Sequence, residues 1–197
     1  MNRIRTALLA GGLVAALVPA ISQAQVFTPS YLSPTASSDA GIFFSDGPGD
    51  FSFEGILRGR FMNSDIGLRA GLANAGGNGS VGIMLGGDYR HPVTFGGPVD
   101  MAITGAIQTL TVTKGGDTGI GFSAGVTAGR SFLGNNAGFT PYIHPRLGVV
   151  TGYGATDFDL LLDAGLDVRL NSSLVARLGV ALEGYGGADW GLGISWR

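Results

Sequence analysis

The run from Phe158 to Tyr185 constrains this chain more than any other stretch. Phe158, Leu160, Leu162, Ala164, Leu166, Val168 and Leu170 share one parity, and Asp159, Leu161, Asp163, Gly165, Asp167 and Arg169 share the other. After Asn171-Ser172-Ser173 the alternation resumes, with Leu174, Ala176, Leu178, Val180 and Leu182 against Val175, Arg177, Gly179, Ala181 and Glu183. A period of two over both arms, joined by a short polar turn, predicts a β-hairpin with one apolar and one polar face. Pairing Leu170 with Leu174 keeps every apolar residue on one face. The same register sets Asp167 opposite Arg177, an opposite-charge cross-strand pair.

The contrast repeats along the chain. Phe51 to Met62, Ile66 to Ala73, Val81 to Arg90, Val99 to Val112, Thr118 to Gly129, Phe139 to Val150 and Trp190 to Trp196 all alternate, and Ala40 to Ser45 is a short candidate strand. Asp46-Gly47-Pro48-Gly49 and Asn63-Ser64 are turn signals. These segments predict eight to ten strands. Parity favours ten, because a closed antiparallel bacterial barrel has an even number. The expected fold is therefore all-β, a closed up-and-down antiparallel barrel over 39–197, preceded by an extended, weakly ordered lead-in over 25–38.

The beginning of the chain has a different character. Arg3 and Arg5 precede an apolar core from Ala7 to Ala20, and Ser22-Gln23-Ala24 places small residues where a signal peptidase cuts. A core of about 14 residues is shorter than the roughly 20 of a membrane span, so cleavage after Ala24 is expected. Losing Arg3 and Arg5 takes the net charge from −2 to −4. With no basic tract, nucleic acid is not an expected partner. There is no cysteine, so disulfides and thiolate metal sites are excluded, and export without cysteine suits a bacterial envelope protein.

Alternation alone does not say which face is outside. A soluble secreted barrel would turn the apolar face inward, around an apolar ligand. Soluble β surfaces, however, carry Lys and Glu for solubility and edge protection. Here Lys114 is the only lysine, and Glu54 and Glu183 are the only glutamates. The polar parity is otherwise Gly, Ala, Ser and Thr with scattered Arg and Asp, which suits the interior of a narrow barrel. Phe51 and Phe61 span roughly 33 Å of strand. A tilt of about 40° projects that to about 25 Å, the height of an outer-membrane apolar band. Phe51, Phe61, Trp190 and Trp196 are the expected interface aromatics.

Gly-rich alternating strands, Thr140-Pro141-Tyr142-Ile143, Asp163 to Leu170 and an aromatic C-terminal strand resemble small bacterial outer-membrane β-barrel proteins of the OmpA/OmpX-like class. That resemblance implies location in the bacterial outer membrane, contact with its lipid, and handling by the barrel-assembly machinery. Members of the class usually end in Phe or Trp; this chain ends Trp196-Arg197, one residue displaced. Outer-membrane lipid A deacylases carry a His-x-Ser pair, where this chain reads His144-Pro145-Arg146, so no enzymatic activity is expected.

Other motifs reduce to structure. Gly121-Phe122-Ser123-Ala124-Gly125 matches G-x-S-x-G but lies inside one alternating strand, without the strand-turn-helix of a nucleophile elbow. Gly77 to Gly82 matches G-x-G-x-x-G but is followed by a strand where a phosphate site needs a helix. His91 and His144 stand outside any metal-ligand spacing, and no cofactor is expected. What remains is the charge set of the polar parity: Glu54, Arg58, Arg60, Arg69, Asp88, Arg90, Arg146, Asp163, Asp167, Arg169, Arg177 and Glu183. Closing the hairpin at Asn63-Ser64 would put Arg58 opposite Arg69, needing carboxylates from Asp88, Asp163 or Asp167. Two outcomes stay open: a salt-bridged, filled lumen in a monomeric structural or envelope-interaction protein, or a charged constriction in a narrow passive pore for ions or small polar solutes.

Overall fold

The computed structural model describes residues 27–35, 38–48, 51–74, 80–94, 96–115, 118–133, 137–152, 155–182 and 188–197. The expected signal peptide and Glu183 lie outside them. Eleven strands follow in order: β1 Asp39–Ser45, β2 Ser52–Phe61, β3 Ser64–Asn74, β4 Val81–Val93, β5 Asp100–Val112, β6 Thr118–Gly129, β7 Phe132–Leu133, β8 Gly138–Gly152, β9 Ala155–Arg169, β10 Leu174–Leu182 and β11 Ala188–Trp196. Sequential strands pair antiparallel, β6 pairs with β8, and β1 pairs with β11 from Ala40↔Trp196 to Ser45↔Gly191. The result is a closed ten-stranded barrel, with the two-residue β7 folded against the start of β8. Closure leaves none of the ten barrel strands as an edge strand.

The faces follow the alternation. In β3, Ile66, Leu68, Ala70 and Leu72 point out and Asp65, Gly67, Arg69 and Ala73 point in. The β9–β10 hairpin closes with Leu170 N–H donating to Leu174 C=O at 2.9 Å, and Arg177 faces Asp167. The exterior is an apolar band: Leu57, Leu68, Leu147 and Phe158 are each at least 60% exposed. Phe51, Phe61, Trp190 and Trp196 are exposed near the strand ends. This inverted arrangement, polar inside and apolar outside, is the one a lipid solvent demands. Leu68, mid-strand opposite Leu57, is a direct probe of it. Leu68→Arg is expected to lower stability by about 2–4 kcal/mol in lipid vesicles, read from denaturant unfolding. A cost below about 0.5 kcal/mol, typical of a hydrated surface, would mean that this face does not meet hydrocarbon.

One register differs from expectation. The β2–β3 turn is Met62-Asn63, with Met62 at φ 56° and Phe61 paired to Ser64. Arg58 therefore faces Gly67, and Arg69 faces Ile56. The shift of two residues preserves both faces, which is why alternation alone could not detect it. It also relieves the direct opposition of two guanidiniums.

The largest difference lies before β1. Phe27 to Ser33, expected as a weakly ordered lead-in, is buried throughout. The segment runs inside the barrel. Thr35 lies near Ser131, Arg60 and Arg197 at the end holding the Met62-Asn63 and Asn171–Ser173 turns (the turn end). Phe27 lies beside Gly121 and Gly148, toward the opposite, loop end. Residues 27–35 contain no charged side chain.

Candidate functional site

Among the described residues the lumen wall carries eleven buried charged ones: Arg58, Arg69, Arg90, Arg146 and Arg177 against Asp39, Glu54, Asp65, Asp88, Asp163 and Asp167. They come from strands β1 to β4 and β8 to β10, each at an inward position of its alternation. At the centre, Arg58 grips Asp88 through two bonds, Nε to Oδ1 at 3.0 Å and Nη2 to Oδ2 at 3.1 Å. Its Nη1 lies 3.7 Å from Asp39 Oδ1. Arg177 pairs with that same Asp39 and with Asp167, the latter at 3.4 Å. An alternating chain results: Asp167, Arg177, Asp39, Arg58, Asp88. Gly67 stands between Arg58 and Asp88 in the cross-strand row. A Cβ there would fall 2.7 Å from Asp88 Cγ, so glycine makes room for the pair.

Three further pairs flank this chain. Arg69 binds Glu54 at 2.5 Å, Arg90 binds Asp65 at 2.6 Å, and Arg146 binds Asp163 at 3.0 Å. Buried ions are tolerated only when paired and hydrogen-bonded. The paired carboxylates leave several guanidinium N–H groups over; the lead-in takes up one from each of four arginines, while Arg58 Nη1, Arg146 Nε and the Arg177 guanidinium donate no hydrogen bond. Arg146 Nη2 donates to Thr28 C=O (3.2 Å), Arg69 Nη2 to Pro29 C=O (3.2 Å), Arg58 Nη2 to Ser30 C=O (3.1 Å) and Arg90 Nη1 to Ser33 C=O (2.5 Å). Four of the five buried arginines thus bridge a wall carboxylate to a backbone carbonyl of the segment.

Side chains of the segment add to this. Thr28 Oγ1 donates to Glu54 Oε1 at 3.1 Å and accepts from Arg69 Nη2 at 2.6 Å. Ser30 N–H donates to Asp163 Oδ2 at 3.2 Å, and its hydroxyl meets His144 Nδ1 at 2.7 Å. His144 Nε2 reaches Thr104 Oγ1 at 2.7 Å, and Nδ1 lies 3.4 Å from Asp163 Oδ2. Hydroxyl, imidazole and carboxylate are connected here as in a hydrolase triad. Thr104, His144, Asp163 and Ser30 are all buried, however, and the imidazole ties the segment to the wall.

Two rings lock the segment in place. Phe27 lies over Gly121 and Gly148, where a Cβ would come within 2.7 Å and 3.1 Å of it, and the Arg146 guanidinium sits 5.2 Å from its ring centre. Tyr31 occupies the notch left by Gly179 and Gly191 and packs on Phe43 with centroids 4.4 Å apart. Its φ of 49° is uncommon for an aromatic residue and persists only because the surroundings dictate it. Toward the loop end the wall itself turns apolar, with Ala73, Met84 and Leu110 clustered and Val150 against them.

Most of the expected charge set therefore meets in one place. Asp88 neutralises Arg58 and Glu54 neutralises Arg69, whereas Asp163 and Asp167 serve Arg146 and Arg177. Arg60 and Arg169 fall outside the buried network, at the turn-end mouth. Arg60 is exposed and lines a recess of about 400 Å³, and Arg169 is half-buried in one of about 190 Å³. Asp39 and Asp65 were not anticipated, although both have inward parity on β1 and β3. The segment's carbonyl acceptors had no signal, because every residue carries one. The Gly121–Gly125 motif lies within β6, as an ordinary strand. Among the described residues no cluster of His, Asp and Glu could hold a metal.

No protein-family model matches the sequence, and no curated protein matches it. Solved structures do share its fold. A bacterial polysaccharide outer-membrane secretin aligns at 10% identity and a TM-score of 0.50, over 75% of this chain and 56% of the secretin. The β-domain of the Bordetella autotransporter BrkA aligns at 12% identity and a TM-score of 0.54, over 79% of this chain and 74% of the domain. At these identities the likeness is one of architecture: the chain has the fold of a bacterial outer-membrane β-barrel.

Proposed function

We propose that this protein is a monomeric, non-enzymatic barrel of the bacterial outer membrane, with a structural or envelope-interaction role and a lumen closed by its own residues 27–35. The observation that carries this reading is the seated segment, bonded to Arg58, Arg69, Arg90 and Arg146 from several sides of the wall. A conducting pore would need a continuous hydrated path where the segment lies. The apolar exterior and the shared fold support the membrane location, and with it contact with outer-membrane lipid and delivery by the barrel-assembly machinery. In this orientation the turn end faces the periplasm, since outer-membrane barrels keep their short turns there. The deciding measurement is planar-bilayer conductance of the intact mature protein, with folding verified by heat-modifiable gel migration. A folded barrel without discrete steps is expected. Steps from the intact chain would replace this reading with the narrow-pore alternative.

A further inference from the structure

The features that hold residues 27–35 all belong to the barrel wall. Four guanidiniums address main-chain carbonyls, which any extended peptide offers. Two glycine-floored notches accept rings spaced four residues apart, Phe27 and Tyr31, with Pro29 between them. Asp163 takes the N–H of Ser30, and Glu54 takes the hydroxyl of Thr28. Carbonyl and N–H readout, combined with side-chain pockets at intervals, is how proteins bind extended peptides. We infer that the lumen is a peptide-binding site for uncharged, extended segments of the pattern aromatic-x-Pro-x-aromatic, and that residues 27–35 are its tethered ligand.

The site selects by subtraction as well as by fit. Among the described residues every buried carboxylate stands beside an arginine, so a basic side chain entering the lumen finds no carboxylate without a counter-charge, although both Asp167 oxygens and Asp39 Oδ2 accept no hydrogen bond. An acidic one would compete with the wall carboxylates for their arginines. An uncharged peptide with two rings meets one N–H donor each of Arg58, Arg69, Arg90 and Arg146 without breaking a pair. The tether joining Thr35 to β1 is only a few residues long, and short linkers hold a ligand at millimolar effective concentration. A second peptide therefore gains access only when the tethered one is absent.

This deepens the closed-barrel reading and rests on it, and the two fail differently: conductance tests closure, whereas refolding in detergent tests recognition. The chain lacking Phe27–Thr35 is refolded with and without a synthetic peptide of residues 27–35 carrying a fluorophore at its C-terminus. The expected result is retention of one peptide per heat-modifiable barrel, with affinity reduced by at least about tenfold when the peptide carries Phe27→Ala and Tyr31→Ala. Folding that occurs only in the presence of the peptide would support the inference equally. Three results would overturn it: a folded barrel that retains no peptide, equal retention of a scrambled peptide, or failure to fold with and without peptide, which would make the segment an inseparable part of the core.

Discussion

Arg58→Ala is expected to destabilise the folded barrel by about 3–5 kcal/mol, the range for removing one partner of a buried ion pair. Arg58 is the hub of the central chain. It holds Asp88 through two bonds, approaches Asp39 and donates to the carbonyl of Ser30. Its loss leaves Asp88 buried without its principal counter-charge and leaves Asp39 to Arg177 alone. Arg58→Lys keeps the charge but not the planar fork, so it should recover only part of the loss. Arg60→Ala, two residues along the same strand but exposed at the mouth, is the matched control and should change stability by less than about 0.5 kcal/mol. Denaturant unfolding in lipid vesicles, followed by tryptophan fluorescence, gives all three values. An Arg58→Ala cost near that of Arg60→Ala would show that water screens the lumen charges and that the network is not a buried one.

Removing Phe27–Thr35 should turn a silent barrel into a conducting one. The segment passes through the middle of the lumen and takes up donors from Arg58, Arg69, Arg90 and Arg146. Without it those guanidiniums, still paired with wall carboxylates, lose their carbonyl acceptors and face an unfilled space that water must enter, because a buried N–H without an acceptor is too costly to leave dry. Planar-bilayer recording of the shortened protein, with folding checked by gel migration, is expected to show discrete steps absent from the intact chain. Asp167→Ala in that background should change the ion preference of the steps, since it removes a fixed negative charge from the lumen wall. A shortened barrel that folds yet stays silent would assign the seal to the wall's own side chains. Ala73, Met84 and Leu110 at the loop end would then be the residues to examine.

Both expectations concern the lumen, and the sequence was least informative there. Its alternation determined the class of fold, the ten barrel strands and the division into two faces, and the scarcity of Lys and Glu turned the apolar face outward and Arg58, Arg69, Asp88, Arg146, Asp163, Asp167 and Arg177 inward. A period of two is a local property of extended backbone, so it is written residue by residue. The polar run Asn171–Ser173 indicated the Asp167–Arg177 pairing, because a turn confined to those three polar residues pairs Leu170 with Leu174. The tertiary structure alone decided the remaining partners. The Met62-Asn63 turn shifts β2 against β3 by two residues without changing any face. That shift brings Arg58 and Asp88 together across Gly67 and leaves Glu54 to Arg69. It alone decided, too, that Phe27–Thr35 fills the barrel. Backbone carbonyls carry no sequence signature, and the notches beside Gly121, Gly148, Gly179 and Gly191 exist only once distant strands have closed around them.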